Sequence, residues 1–250
     1  MIDLHSHVLP GVDDGARSLD ESLAILAAAA EDGIAQIAAT PHVRADYPTQ
    51  VETMERGVAE LNRAAREAGI PIEVLTGGEL DLEYAARLDD ATLARFGLGG
   101  NPALLLLECP DVGWPLDLRD VVFQLATRGF SVVLAHPERN PDVQADPELL
   151  RPLVGAGVLV QLTAASVDGR LGSWPRQASR ALLDAGLVHL LASDAHAPQV
   201  REVGMAPAAA ALGDAPLARW LTEDVPAAVV SGSPVPARPQ RPQRRRFRRR

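Results

Sequence analysis

The sequence predicts one α/β barrel of parallel strands, and three observations support this. Its 250 residues, 47% of them hydrophobic, are enough for a single large domain. Apolar runs of β type alternate with alanine- and leucine-rich helical segments, a pattern typical of parallel strands joined by crossover helices. Potential ligand residues follow nearly every strand, as expected where the carboxyl ends of parallel strands open onto one face.

Seven strands are predicted from the apolar runs. They lie near residues 2–4, 35–39, 73–75, 103–107, 131–135, 158–162 and 187–191. Helices are expected near residues 18–33, 49–68, 82–96, 116–128, 147–154 and 174–185, and in parts of 207–230. The first helix has the clearest start, because Ser18 and Glu21 have the spacing of a capping box.

The C-terminal segment, residues 231–250, differs in composition from the rest of the chain. It is rich in proline, and from Ala237 onward it contains eight arginines and no acidic residue. We expect it to be disordered and residues 1–230 to form the barrel. Its role is open: the basic tail could make weak contact with an anionic membrane surface, bind acidic partners or have no function.

Without those eight arginines the chain has 16 basic and 33 acidic residues, a net charge of −17. Such a body repels the phosphate backbone, so we expect no nucleic-acid partner. Cys109 is the single cysteine, which excludes an intramolecular disulfide and favours a reducing compartment. No signal peptide or run of 18 apolar residues is evident, and we expect a cytoplasmic protein.

The residues at the strand ends indicate a metal site. His5 and His7 lie on one face of an extended segment and can bind one cation together. The acidic pair Asp13–Asp14 also follows the first strand, and the candidates after later strands are His42, Glu79, Glu108, His136, Asp194 and His196. Imidazole and carboxylate without thiolate suit Mn, Fe or Zn. So many ligands predict two or three metals, as in enzymes that hydrolyse phosphate esters.

Several short motifs give the chain a specific resemblance. They are HSHVLPGVDDG at residues 5–15, EDG at 31–33, ATPH at 39–42, AHPER at 135–139 and SDAH at 193–196. Over roughly residues 1–205 the chain resembles the polymerase and histidinol phosphatase (PHP) superfamily. Within it, the chain is similar to the bacterial metal-dependent protein-tyrosine phosphatases of the CpsB/YwqE/CapC type. The resemblance implies a distorted TIM-like (β/α)7 barrel with a metal site at the carboxyl ends of the strands.

The resemblance also implies a role for each candidate residue. One metal would be held by His5, His7 and Asp194, with Glu79 bridging to a second metal. The second metal would also take Glu108 and His136, and a third would take Asp14, His42 and His196. Asp13 stays open as an alternative to its neighbour Asp14. Arg139 and Arg201 match the phosphate-contacting arginines, and Mn is the favoured ion, with Fe or Zn as alternatives.

The implied activity is metal-dependent hydrolysis of tyrosine phosphate in a protein. The expected partner is a membrane-associated tyrosine kinase of capsule or exopolysaccharide synthesis. In this hypothesis an activated water attacks phosphorus directly, the arginines neutralise the phosphoryl oxygens, and the tyrosinate leaves with little protonation because its pKa is about 10. The alternatives are a small-molecule phosphatase such as a histidinol-phosphate phosphatase, an exonuclease, which the acidic body disfavours, and a metal-stabilised binding module.

Other residues receive structural interpretations. His189 lies inside an apolar run and is expected to be a satisfied core histidine. Trp114 and Trp174 could frame an aromatic substrate, but packing at the rim is the favoured role. Glu138 is expected to be an exposed charge. Cys109 is expected to be a buried, inert thiol, because Pro115 excludes the Cys-x5-Arg motif of cysteine phosphatases.

Overall fold

The computed structural model describes residues 1–197 and 202–240. The strands in this part of the chain are β1 (Ile2–Ser6), β2 (Gln36–Ala39), β3 (His42–Val43), β4 (Glu73–Leu75), β5 (Glu79–Leu80), β6 (Leu104–Glu108), β7 (Ser131–Ala135), β8 (Leu159–Thr163) and β9 (Leu190–Ala192). The α-helices are α1 (Leu19–Glu31), α2 (Val51–Glu67), α3 (Leu82–Arg87), α4 (Asp90–Arg95), α5 (Leu118–Thr127), α6 (Pro141–Ala145), α7 (Arg151–Gly155), α8 (Ala164–Asp168), α9 (Ser173–Asp184), α10 (Met205–Ala211), α11 (Ala215–Arg219) and α12 (Val225–Ser231). Short 3-10 turns occur at Leu98–Gly100, Pro137–Arg139 and Pro147–Leu150, and a π-helical turn at Trp220–Asp224.

The paired strands are all parallel and follow one another around the barrel. β1, β2 and β4 form one sheet, and β3, β5, β6, β7, β8 and β9 form the second. Only Thr40 and Pro41 separate β2 from β3, and only residues 76–78 separate β4 from β5. Each of these pairs therefore counts as one interrupted strand of the barrel. The barrel therefore has the seven positions that the sequence predicted.

The residues directly after β9 pair with the end of β1 at the carboxyl ends of the strands. The Asp194 N–H donates to His5 O at 2.8 Å, and the His7 N–H donates to Ala195 O at 2.8 Å. Ser6 and Ala195 form a parallel bridge between these hydrogen bonds. The α/β barrel is thus confirmed, and it closes at the end where the potential ligands stand.

Helix α1 begins as predicted, since Ser18 Oγ accepts the Glu21 N–H at 3.3 Å. The predicted helix over 82–96 is wrong in one respect, because it is divided into α3 and α4. Leu88 has extended backbone, with ψ of 146°, and Asp89 caps the new helix by accepting the Thr92 N–H at 3.0 Å. An aspartate at this position starts a helix instead of continuing one.

Strands β6 and β7 are buried along nearly their whole length. The four leucines of β6 are buried, and Glu108 at its carboxyl end is partly exposed. This is the pattern of parallel strands that are covered by helices on one side and packed against the barrel interior on the other. Among the described helices, none combines the length and the apolar character that crossing a membrane requires.

Residues 232–238 cover the amino ends of the strands, at the end of the barrel away from the ligands. The Trp220 Nε1–H donates to Pro236 O at 3.0 Å, and Arg238 Nη2 donates to Leu183 O at 2.8 Å. The segment also lines a cleft with the first residues of β6, β7 and β8. These contacts lie within the segment for which the sequence predicted disorder, and the arginines after residue 240 lie outside the described residues.

Candidate metal centre

The carboxyl ends of the strands bring the nine predicted metal ligands together. These residues are His5, His7, Asp14, His42, Glu79, Glu108, His136, Asp194 and His196. Their donor atoms form four groups, which are His5–His7–Asp194, His5–Glu79–His136, His42–Glu79–Glu108 and His7–Asp14–His42–His196. Within each group the donor atoms lie within 4.8 Å of one another. Every group shares a member with another, so the nine residues form one connected cluster.

His5 and His7 face the same point, as the alternation along β1 predicted. Their Nε2 atoms are 3.3 Å apart, and Asp194 Oδ1 lies 3.4 Å from each. Glu79 Oε2 lies 3.3 Å from the same two nitrogens. Metal–nitrogen bonds are about 2.1 Å long, so one ion between the two imidazoles can reach both nitrogens.

Glu79 is buried at the middle of the cluster. Its Oε1 is 2.8 Å from His136 Nε2, and its Oε2 is 2.9 Å from His42 Nδ1. Burial alone raises the pKa of Glu79, but the charge of His5 and the contacts with His136 and His42 outweigh it and hold that pKa well below its usual value. The carboxylate is therefore ionised, and its two oxygens face different histidines, as a bridge between two metal ions requires.

The neighbours Asp13 and Asp14 occupy different places. Asp14 Oδ1 is 3.4 Å from Nε2 of His42 and of His196, and these contacts lower the pKa of Asp14. Asp13 Oδ2 instead lies 2.7 Å from His7 Nδ1 and accepts the His42 N–H at 3.0 Å. Asp14 thus faces the donor atoms of the cluster, whereas Asp13 holds the outer ring nitrogen of His7.

Two further polar residues inside strands support the cluster, and sequence reasoning missed both. Gln161 Oε1 is 2.9 Å from His5 Nδ1, so it fixes the ring that presents Nε2 to the cluster. Asp3 accepts the Ser193 N–H at 3.0 Å and joins β1 to the residue before Asp194. Burial raises the pKa of Asp3 to about 6. The signal available in the sequence was a polar side chain within an otherwise apolar strand.

Two cluster residues have left-handed backbone, and no other non-glycine residue in the described ranges has a positive φ. They are His136, with φ of 36°, and Asp194, with φ of 52°. Such backbone costs on the order of 1–3 kcal/mol for a residue with a side chain. Both residues follow directly or closely after a strand, where the sharp turn directs the side chain into the cluster.

Arg139 lies against the cluster on the 3-10 turn after β7. Its Nη2 donates to Thr163 Oγ1 at 2.8 Å and to Asp194 Oδ2, and its Nε is buried with no hydrogen-bond partner. The second predicted arginine, Arg201, lies outside the described residues. A further arginine that the sequence did not indicate, Arg44, donates to Glu108 Oε1 at 2.7 Å.

The buried donor atoms fit metal ions. Glu79 Oε2 is surrounded by nitrogens of His5, His7 and His42, yet it accepts no aligned hydrogen bond from them. A buried ionised oxygen without hydrogen bonds is unfavourable unless a cation compensates it. Imidazoles and carboxylates are suitable ligands for Mn, Fe or Zn. The residues present are therefore those that a centre with more than one divalent ion needs.

A family model described as capsular polysaccharide synthesis, CpsB/CapC, matches residues 1–216. The chain belongs to this family. The match confirms the resemblance that the motifs indicated, and it covers the whole of the donor cluster. It also includes Arg139 and Arg201.

Relatives of the CpsB/CapC chain have been named as tyrosine phosphatases. The tyrosine-protein phosphatase YwqE of Bacillus subtilis is 34% identical over 202 residues, which are 80% of this chain and 79% of that protein. The tyrosine-protein phosphatase CpsB of Streptococcus agalactiae serotype III is 26% identical over 209 residues, 80% of this chain and 85% of that protein. A crystal structure from work on YwqE of B. subtilis and CpsB of Streptococcus pneumoniae, described as unique metal-dependent tyrosine phosphatases, superposes with a TM-score of 0.85 at 30% identity. It covers 96% of this chain and 100% of that one.

Several residues around the site of this CpsB/CapC chain differ from expectation. Glu138 was expected to be exposed and is buried, because the 3-10 turn folds it under β8, where its Oε1 accepts the Thr163 N–H at 2.9 Å. Trp114 is partly buried against the core as predicted. Trp174 is 68% exposed, so the packing predicted for it is wrong.

Two other structural interpretations are confirmed. His189 Nδ1 accepts the Val160 N–H at 3.1 Å, and burial lowers the pKa of His189 to about 4. It is a half-buried, neutral histidine away from the metal centre, and its ring nitrogen is satisfied as predicted. Cys109 is buried, and burial raises the pKa of its thiol, so the side chain is a poor nucleophile.

Proposed function

We propose that this chain is a metal-dependent phosphatase that hydrolyses phosphotyrosine in proteins. The observation that carries the proposal is the connected cluster of nine imidazole and carboxylate donors with Arg139 against it. Such a site can hold several divalent ions beside a cation that binds phosphate. Membership of the CpsB/CapC family and the names of its relatives support phosphotyrosine as the substrate.

The proposed ligands divide into three sets, and Glu79 of the second set also bridges to the first. The first set is His5, His7 and Asp194, the second is Glu79, Glu108 and His136, and the third is Asp14, His42 and His196. The bound ions would supply Lewis acidity toward the phosphoryl oxygens and would lower the pKa of water. Mn is the ion proposed first, with Fe and Zn as alternatives, because this donor set accepts all three.

The arginines are proposed to bind the phosphoryl group. Arg139 is held by Thr163 and Asp194 beside the cluster, and its buried Nε has a free hydrogen. A guanidinium can donate two parallel hydrogen bonds to phosphate oxygens and can stabilise the charge that develops during hydrolysis. Arg201 is proposed for the same role. A tyrosine leaving group needs little protonation because its pKa is about 10, which reduces the demand for a general acid.

The proposed physiological substrate is a membrane-associated tyrosine kinase of capsule or exopolysaccharide synthesis, and the proposed compartment is the cytoplasm. The family description, which refers to capsular polysaccharide synthesis, supports the first point. The single cysteine, buried as a thiol, is compatible with a reducing compartment. The strongly acidic body argues against a nucleic-acid substrate.

The experiment that tests the function is a comparison of three substrates. Chelator-stripped protein is supplied in turn with Mn, Fe or Zn and given a phosphotyrosine peptide, histidinol phosphate or a short DNA strand. We expect phosphate release from the peptide only with metal, and fastest with Mn. Faster hydrolysis of histidinol phosphate would reassign the chain to the small-molecule phosphatases, and no hydrolysis of any phosphate ester with any metal would refute the phosphatase.

A further inference from the structure

Arg44 occupies a tight turn directly after β3, at the rim of the cluster. The turn is closed by two hydrogen bonds, from the Arg44 N–H to Tyr47 O and from the Tyr47 N–H to Arg44 O, both at 3.1 Å. The guanidinium is held on two sides. Its Nη1 donates to Glu108 Oε1 at 2.7 Å, and its Nε lies 2.9 Å from Asp46 Oδ1.

The aromatic ring of the same turn covers a proposed metal ligand. Tyr47 stacks on the imidazole of His42, with ring centroids 5.8 Å apart and an interplanar angle of 20°. The Arg44 Cζ atom lies over the tyrosine ring, 5.4 Å from its centroid. One turn therefore contacts two donors of the same group, Glu108 through the guanidinium and His42 through the ring.

The ring of His42 lacks the outer contact that holds the rings of His5 and His7. His5 and His7 each point one nitrogen at the cluster, while the other is held from outside by Gln161 or Asp13. His42 instead points both nitrogens inward, with Nδ1 2.9 Å from Glu79 and Nε2 3.4 Å from Asp14. No ring nitrogen of His42 is left for an outer hydrogen bond, so a contact with the ring face has to set its orientation.

The two carboxylate oxygens of Glu108 face different partners. Its Oε1 is turned to Arg44, while its Oε2 lies 3.9 Å from His42 Nδ1 and faces the cluster. By holding one oxygen, the guanidinium directs the other inward. Arg139 holds Asp194 in the same way, since Asp194 Oδ2 faces that arginine and Oδ1 faces His5 and His7.

We propose that Arg44 and Tyr47 are positioning residues that hold Glu108 and His42 in the orientation required to bind a metal ion. This inference rests on the proposed metal-dependent function. In this proposal neither side chain contacts the substrate. Removing partners that orient metal ligands typically weakens metal affinity or activity by about 10- to 100-fold.

The test is Mn binding to the chelator-stripped full-length chain, measured by titration calorimetry. Arg44→Gln and Tyr47→Leu should each weaken one class of Mn site by about tenfold or more. Arg44→Lys should recover part of the affinity, and Tyr47→Phe, which keeps the stacked ring, should bind Mn like the parent. Arg95→Gln is the matched control, because it removes an arginine that pairs with Glu52 and Glu55 on the surface.

Kinetics with a phosphotyrosine peptide give the second readout. For Arg44→Gln we expect a lower kcat at limiting Mn, an unchanged KM for the peptide and recovery of rate as Mn is raised. Mn isotherms like those of the parent in both Arg44→Gln and Tyr47→Leu would overturn the proposal. A rise in KM alone would also overturn it, since Arg44 would then be a substrate contact.

The failure of the proposed function can be told apart from the failure of this inference. A parent chain that binds Mn but hydrolyses no phosphotyrosine peptide refutes the function, while the isotherms still decide whether Arg44 and Tyr47 position ligands. Thermal unfolding is measured for every variant. If Arg44→Gln does not fold, the comparison of Tyr47→Leu with Tyr47→Phe decides the proposal alone.

Discussion

Asp13 and His7 form a carboxylate–imidazole pair in which Asp13 Oδ2 lies 2.7 Å from His7 Nδ1. Because Nδ1 is held in this way, Nε2 is the nitrogen that faces the cluster. Burial alone would raise the pKa of Asp13, but the charge of His7 outweighs it and lowers that pKa. Of the two acidic neighbours, therefore, Asp13 is proposed to orient a ligand and Asp14 to be one.

Asp13→Asn and Asp14→Asn are expected to differ in their response to metal. In Asp13→Asn the new amide can still contact the imidazole but carries no charge, so Mn affinity should fall by about 10- to 100-fold and activity should recover at high Mn. Asp14→Asn should lose one Mn per chain, and excess Mn should not restore activity. Mn stoichiometry and rate against Mn concentration measure the difference. Full recovery of Asp14→Asn at high Mn would contradict the assignment.

Arg139→Gln should lower kcat for a phosphotyrosine peptide by about 100- to 1000-fold, because it removes the proposed donor to the phosphoryl oxygens in the transition state. Arg139→Lys keeps the charge but not the fork, and we expect an intermediate rate. Steady-state kinetics at saturating Mn measure both. A kcat within about twofold of the parent for Arg139→Gln would leave Arg139 with a structural role only.

Gly15→Ala should damage the site without replacing a ligand, because the added methyl group would collide with His7. A Cβ at Gly15 would lie 2.1 Å from His7 O and 2.4 Å from His7 Cβ, so the loop that carries Asp14 would have to move away. We expect a loss of about 1–3 kcal/mol in stability and a weaker Mn site. Gly155→Ala is the control, because nothing lies within 4 Å of its added Cβ. Equal unfolding temperatures for the two variants would contradict this prediction.

His189 should make stability depend on pH below neutrality. Burial and the charge of Arg238 lower its pKa in the fold to about 4, compared with 6.5 for a free histidine. Because the folded pKa is the lower one, the stabilisation is complete above pH 6.5 and is lost as pH falls toward 4. The loss from this group amounts to about 3 kcal/mol.

His189→Asn isolates that contribution, since the amide oxygen can accept the Val160 N–H and does not titrate in this range. Urea unfolding of both proteins from about pH 8 to pH 4 measures it. As the pH is lowered from 6.5 to 4, we expect the free energy of unfolding of the parent to fall relative to that of His189→Asn. A constant difference would show that His189 does not control this dependence.

The barrel and its ligands could be predicted because each depends on a repeated pattern. Strand after strand ends in a ligand such as Glu108 or His136, and parallel strands bring these ends together. Single contacts have no such pattern. Arg44 and Gln161 are isolated residues whose partners lie 64 and 156 positions away. Strands β3 and β5 have two residues each, too few for a periodicity.

The segment over the amino ends of the strands gives the molecule two unlike poles. Met1 and Arg238 both lie at the pole away from the ligand cluster. The Met1 amino group donates to Gly33 O, and Arg238 Nη2 donates to Leu183 O. Tethering the protein to a solid support through either residue therefore leaves the opposite pole facing the solution. In an enzyme immobilised in this way, the metal centre would be at the pole away from the support.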